Sequence, residues 1–312
     1  MRGGRGLPAQ PGAAPTATGP PPDAGRQQPE RTDRRGGAAV HLVGVVHLYR
    51  QAGEDVVGLR GVDLDVEPGE TLALLGPSGM GKTTVLRLIA GVMTASAGVV
   101  RVGGVDLRRL RGGERRALRA GEIGYIVQGT SANVLPFATT LENLWFAQHG
   151  ARVLGRVPPW SPEELLDILG LGGLARVRVA QMPRGVQQLV AVVNGVAAGP
   201  RLLLADEPTA QLTTTSAYNV MQLLLRINAE LGTTILMVTH DPSMAAFFPR
   251  VVTIRDGRVG ADAIHGTEYA VVDGSGSVQL PPDVLETLPP NTRVRVVRIG
   301  GGVELLSPES EP

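Results

Sequence analysis

Three short apolar runs, each bounded by turn residues and each closing on polar side chains, set out the framework of the chain. Thr71-Leu72-Ala73-Leu74-Leu75 lies between Pro68-Gly69 and Gly76. Arg201-Leu202-Leu203-Leu204-Ala205 runs into Asp206-Glu207-Pro208-Thr209, and Thr233-Thr234-Ile235-Leu236-Met237-Val238 runs into Thr239-His240-Asp241. Unbroken apolarity over four to six residues predicts buried parallel strands, covered on both faces. Val85-Leu86-Arg87-Leu88-Ile89-Ala90 predicts a helix directly after the first strand, and Gly98-Val99-Val100-Arg101-Val102 a return strand. Val251 to Val259 reads as a hairpin turning on Asp256-Gly257. The fold class expected is α/β.

Between Phe137 and Val196 the pattern is mainly helical, with breaks at Pro158-Pro159 and Gly170-Leu171-Gly172-Gly173. Arg108 to Arg119 predicts a basic helix with an exposed face. Residues 1–38 hold eight Gly and seven Pro with almost no large apolar side chains, which predicts a disordered tail. Beyond the hairpin, residues 268–308 read as a small β-rich extension. Its expected order is a strand at Tyr269–Val272, a turn at Asp273–Gly276, a strand at Val278–Leu280, a helix from Asp283 to Leu288, then Thr292–Ile299 and Val303–Leu306 around Gly300-Gly301-Gly302.

Composition narrows the class. The 312 residues carry a net charge of +1, which argues for no particular anionic partner. There is no cysteine, so disulfide and thiolate chemistry are excluded and a reducing compartment fits. No apolar run reaches ~18 residues, so no transmembrane helix is expected, and any membrane role comes through a partner. Of the 30 Lys and Arg residues one is lysine, Lys82. It sits where a compact ammonium suits a phosphate better than a rigid guanidinium fork.

That place is Gly76-Pro77-Ser78-Gly79-Met80-Gly81-Lys82-Thr83, followed by Thr84. The spacing fits a phosphate-binding loop, whose backbone N–H groups cradle phosphates while Lys82 reaches the β/γ-phosphates and Thr83 ligates Mg²⁺. The strand before it and the helix after it supply the right context, because the helix N-terminus faces the anion. At the end of the second strand, Asp206 is expected near the metal and Glu207 beside the water that attacks the γ-phosphoryl group. His240, at the end of the third, stands where open α/β sheets place ligands. His41, His47, His149 and His265 are expected to be structural.

These residues resemble the nucleotide-binding subunit of an ATP-binding-cassette (ABC) transporter over roughly residues 40–260. The resemblance implies an ATP-binding domain at 39–262 with a helical subdomain at about 137–196, and ATP and Mg²⁺ as ligands. It implies that Gln128, in Gly124-Tyr125-Ile126-Val127-Gln128, touches Mg²⁺ and relays nucleotide state. It further implies that His240 contacts the γ-phosphate, and that Tyr49 stacks on adenine. Gly58-Leu59-Arg60-Gly61-Val62-Asp63-Leu64 and Asn133-Val134-Leu135-Pro136 with Thr140-Leu141-Glu142-Asn143 are similar to the lipoprotein-release and macrolide-export branch. The partners implied are a membrane permease subunit, FtsX-like, and a second cassette, either a different ABC ATPase subunit or another copy. The location implied is peripheral, at the cytoplasmic face of the cell membrane.

The chain departs from the family in two places. Where the family has Leu-Ser-Gly-Gly-Gln, this chain has Met182-Pro183-Arg184-Gly185-Val186. Proline offers neither a hydroxyl nor an N–H, and Arg184 adds bulk where glycine lets backbones approach. Thr213 stands where the family has an aspartate. Both surfaces serve the nucleotide held by the opposite subunit, which implies two impaired sites in a homodimer, and one competent and one degenerate site in the asymmetric dimer expected with a different cassette. The functional expectation is therefore an ATPase subunit that powers a transporter or extruder. The alternative is an ATP-gated regulatory cassette with little turnover that signals through its C-terminal extension. Gly276-Ser277-Val278-Gln279-Leu280-Pro281 gives that extension a likeness to the swapped-hairpin domain of AbrB-type regulators, which implies dimerisation. DNA binding is not expected, since Arg293, Arg295 and Arg298 neutralise few phosphates.

Overall fold

The computed structural model describes residues 36–51, 53–129, 132–274 and 276–306. Of the tail expected at 1–38, residues 1–35 lie outside that set. Two sheets carry the cassette. The first is antiparallel, in the order β2-β1-β4-β5, from β1 (Val40–Gln51), β2 (Glu54–Val66), β4 (Ala97–Val102) and β5 (Val105–Asp106). The second has seven strands, β3 (Thr71–Leu75), β6 (Ile123–Ile126), β7 (Leu202–Asp206), β8 (Thr234–Thr239), β9 (Arg250–Arg255), β10 (Arg258–Ile264) and β11 (Thr267–Ala270). Their order is β11-β10-β9-β3-β8-β7-β6, parallel from β9 to β6.

The three apolar runs of the sequence are β3, β7 and β8, and every residue of β7 and β8 is buried. Leu72, Leu74, Leu202, Leu204, Leu236 and Val238 pack on one face, against helix α1 (Lys82–Ile89) and the antiparallel sheet. Ala73, Leu203, Ala205, Ile235 and Met237 pack on the other, against the helices that follow. Burial of each large aliphatic side chain there stabilises the fold by about 1.5–3 kcal/mol. Arg250 ties the two sheets together, donating to Asp262 and Glu70 and to the Asp65 carbonyl at 2.8 Å.

The helical block has α3 (Thr140–Val153), α4 (Pro162–Ile168) and α5 (Arg184–Val196), with the breaks where the proline and glycine clusters predict them. The basic helix α2 runs Gly112–Glu122 instead of Arg108–Arg119. Asp106 accepts from the Arg108 backbone N–H at 3.0 Å and holds residues 106–109 in a turn, so the helix begins only after Arg111. Helix α6 (Thr214–Leu231) is capped by Thr213 and ends on Gly232 with φ 66. After β8 comes the single turn α7 (Pro242–Ala245). The hairpin β9–β10 turns on Asp256 (φ 49) and Gly257 (φ 72), the paired positive φ values of the expected tight turn.

The extension differs from expectation at its start. The strand expected at Tyr269–Val272 lies at Thr267–Ala270 and joins the large sheet, with Ala261 opposite Ala270. The large sheet therefore continues through residue 270, past the boundary at 262. Val278–Leu280 makes only an isolated bridge, Val272 to Val278, and the Gln279 side-chain amide lies 3.5 Å from the Arg255 carbonyl. Helix α8 (Pro282–Thr287) and the hairpin of β12 (Arg295–Ile299) with β13 (Gly302–Leu306) follow as expected.

Candidate nucleotide site

The parallel strands align at their carboxyl ends. Leu75 pairs with Thr239, Asp206 with Val238, and Ile126 with Ala205, so the loops after β3, β6, β7 and β8 share one edge. The loop after β3 runs through Gly76, Gly79 and Gly81, with φ values of 154, 81 and 96, left-handed backbone that glycine adopts without strain. A Cβ on Gly76 would lie 2.4 Å from the Ile254 carbonyl oxygen. Pro77, Ser78 and Gly79 are exposed at the mouth. Lys82 is 5% exposed, and its ammonium donates to the carbonyls of Gly76 at 2.6 Å and Pro77 at 2.7 Å. Burial lowers its pKa, and the charges of Glu207 and Asp206 oppose that shift.

Thr83 donates its hydroxyl to Asp206 Oδ1 at 3.2 Å. Asp206 is fully buried, and its Oδ2 has no hydrogen-bond partner. An orphaned carboxylate oxygen beside a threonine hydroxyl at a phosphate loop fits Mg²⁺, which takes one or two protein ligands and completes its shell with phosphate oxygens and water. Burial pushes the Asp206 carboxyl up; the Thr83 bond opposes this and Glu207 adds to it. A carboxyl with a raised folded-state pKa favours the fold while protonated and loses that advantage as pH rises through the pKa. Above that pKa the charged Asp206 destabilises the fold. Asp206→Asn is expected to raise the melting temperature in EDTA by about 2–4 °C and to remove the stabilisation given by Mg-ATP. A lower melting temperature in thermal denaturation at pH 7.5 would refute this.

Glu207 holds φ 51, unusual for a non-glycine residue and worth roughly 1–3 kcal/mol of local strain. Its N–H donates to the Val238 carbonyl at 2.9 Å, closing β7 onto β8. Its carboxylate pairs with His240 Nδ1 at 2.8 Å. The carboxylate is thus largely buried while the imidazole stands open to the site, with side-chain exposures of 10% and 65%.

Gln128 lies just beyond β6 and is exposed. Asn133 grips the loop on both sides of it, accepting from Val127 N–H at 2.8 Å and donating to the Gly129 carbonyl at 2.8 Å. Asn133 entered the sequence reading only as a subfamily mark; its clamping role has no local signature. Tyr49 stands at the other side of the loop, its hydroxyl 2.7 Å from Thr84 Oγ1. His47 is buried edge-on against that ring, 4.7 Å between centroids, the structural place expected for it. Thr83 with Asp206, Thr84 with Tyr49 and Glu207 with His240 thus form separate hydrogen-bonded pairs, Lys82 bonds its own loop, and Gln128 lies on the loop after β6.

Pro183 is the N-cap of α5 and provides no side-chain cap. Pro183 and Arg184 are exposed, and Gly185 lies against Gln211, where a Cβ would be 3.5 Å from the Gln211 carbonyl oxygen. Gln188 donates to the Pro208 carbonyl at 3.0 Å. The two segments that the sequence reading expects to depart from the family pattern are therefore neighbours.

The ABC transporter family pattern matches residues 59–210. The lipoprotein-releasing system ATP-binding protein LolD of Anaeromyxobacter dehalogenans is 42% identical over 210 residues, 66% of this chain and 86% of that protein. The chain belongs to the ABC transporter ATP-binding family. The macrolide export ATP-binding/permease protein MacB of Chromobacterium violaceum is 36% identical over 73% of this chain, which spans 35% of that longer protein. A solved structure of the cassette MJ0796, dimeric and in a post-hydrolysis state with ADP and Pi, has a TM-score of 0.66 and 30% identity. It matches over 72% of this chain and 98% of that one. As a family member this chain is an ATP-binding, ATP-hydrolysing subunit that powers membrane transport. No helix among the described residues is long and apolar enough to cross a membrane.

Proposed function

We propose that this chain binds Mg-ATP and drives an extruder of the lipoprotein-release and macrolide-export type, paired with a different cassette subunit and an FtsX-like permease at the cytoplasmic face of the membrane. The observation that carries the reading is an asymmetry. Lys82, Thr83, Asp206, Glu207 and His240, which in this reading serve the chain's own nucleotide, are each hydrogen-bonded. The loop that faces a partner's nucleotide has an exposed Pro183 without hydroxyl or N–H. Decay of function would erode both sets alike.

In this reading the phosphate loop holds the β- and γ-phosphates and Tyr49 covers adenine. Thr83, Asp206 and Gln128 would hold Mg²⁺, which would neutralise charge developing on the phosphates. Glu207, aimed by its strained backbone and bonded to His240, orients water for in-line attack, and His240 contacts the γ-phosphoryl oxygens. Phe137, Trp145 and Phe146 are 73%, 50% and 66% exposed on and beside α3, an apolar surface suited to a membrane partner.

Co-purification from native membranes tests the pairing: a second cassette with an intact signature loop is expected alongside the permease, and recovery of this chain with itself and a permease alone would reject it. Alone, the chain is expected to turn over slowly. Pro183→Ser with Arg184→Gly and Val186→Gln is expected to raise ATP hydrolysis by the isolated chain about tenfold or more. No gain, or brisk turnover of the unmodified chain, would show that the loop works as it stands. The regulatory alternative draws on the same loop and is rejected by steady hydrolysis at this chain's site in the mixed dimer.

A further inference from the structure

Three glycine backbones from distant parts of the chain meet behind the phosphate loop. A Cβ on Gly81 would lie 2.8 Å from the Gly58 carbonyl oxygen, and a Cβ on Gly257 would lie 2.8 Å from the same atom. Gly58 in turn supports the adenine-side aromatic, since its own Cβ would be 2.7 Å from Tyr49 Cε2. Two hydrogen bonds fix the hairpin turn in this junction: Arg60 N–H to the Gly257 carbonyl at 2.8 Å, and Asp256 N–H to Met80 Sδ at 3.4 Å. The turn between β9 and β10 is therefore a wedge against β2 on one side and the phosphate loop on the other.

The C-terminal segment grips that hairpin at the residues flanking its turn. Arg258 donates to Asp273 Oδ2. The other Asp273 oxygen accepts from Ser277 N–H at 2.9 Å, and Asp273 N–H donates to the Ser277 carbonyl at 2.8 Å, so the carboxylate is held by its own turn before it meets the guanidinium. The Asp273 side chain is 12% exposed and that of Arg258 34%, so the ion pair is partly shielded from solvent. Opposite Arg258, the Arg255 carbonyl accepts from Gln279.

We propose that Asp273, acting through Arg258 and the Asp256-Gly257 turn, is a positioning residue for the phosphate loop and Tyr49. The glycine contacts leave no slack: any shift of the turn moves Gly58 and Gly81 together, and with them the ring and the cradle that grip the two ends of ATP. The C-terminal segment thereby sets nucleotide affinity without touching nucleotide. The proposal rests on the phosphate loop being the ATP site, which binding by the unmodified chain checks separately.

The test uses the full chain and titration calorimetry with Mg-ATP. Asp273→Asn keeps an acceptor for Ser277 and removes the charge facing Arg258. It is expected to weaken ATP binding roughly fivefold, the low end of ordinary coupling between sites, and to raise KM while leaving kcat unchanged. Arg258→Ala is expected to do the same, and the exchanged pair Arg258→Asp with Asp273→Arg to recover much of the loss. Unchanged affinity in both single variants would overturn the proposal. So would a loss that follows the melting temperature and is not recovered by the exchanged pair.

Discussion

Lys82→Ala is expected to lose Mg-ATP binding, with affinity down about 100-fold or more, since truncating one member of a buried charge pair costs roughly 2–5 kcal/mol. The ammonium donates to the Gly76 and Pro77 carbonyls. Lys82 as a residue is 5% exposed. Alanine removes the only lysine in the chain and leaves those carbonyls facing the anion. Arginine is expected to fail as well, because its planar fork cannot take the place of a compact ammonium between two carbonyls. Calorimetry decides the matter, and equal affinity of the alanine variant and the unmodified chain would sink the assignment of the loop.

Glu207→Gln in this chain, within the mixed dimer, is expected to cut phosphate release by about 10²–10³, the usual contribution of a positioned base. ATP binding should change little, because the amide keeps the same shape and can still bond His240. The matching change in the partner cassette is expected to cost far less, as its nucleotide faces Pro183 and Arg184. Equal losses from the two substitutions would remove the asymmetric reading and leave two equivalent sites.

What the sequence made legible is what depends on near neighbours. β3, β7 and β8 could be read because a doubly buried strand is apolar at every position, and the phosphate loop because its glycines and lysine stand at fixed offsets. Asp256-Gly257 announced its hairpin because both residues tolerate positive φ. The parts that could not be read depend on contacts between distant segments. Nothing near Asn133 says that it clamps the loop around Gln128, and nothing near Gly58 says that it meets Gly81 and Gly257. The strand at 267–270 was misplaced because a short exposed edge strand has no burial pattern of its own; all four of its residues are exposed. The start of the basic helix is not legible because its arginines share one composition, while Asp106 holds the turn that precedes it.

The lone lysine also makes the chain an unusual substrate for amine-directed reagents. Its one ε-amino group is sequestered by two carbonyls of its own loop. Acylation at that nitrogen requires the loop to open or the fold to melt. Its rate is therefore a clock for loop opening, with a single reporting site and no background from other side-chain amines.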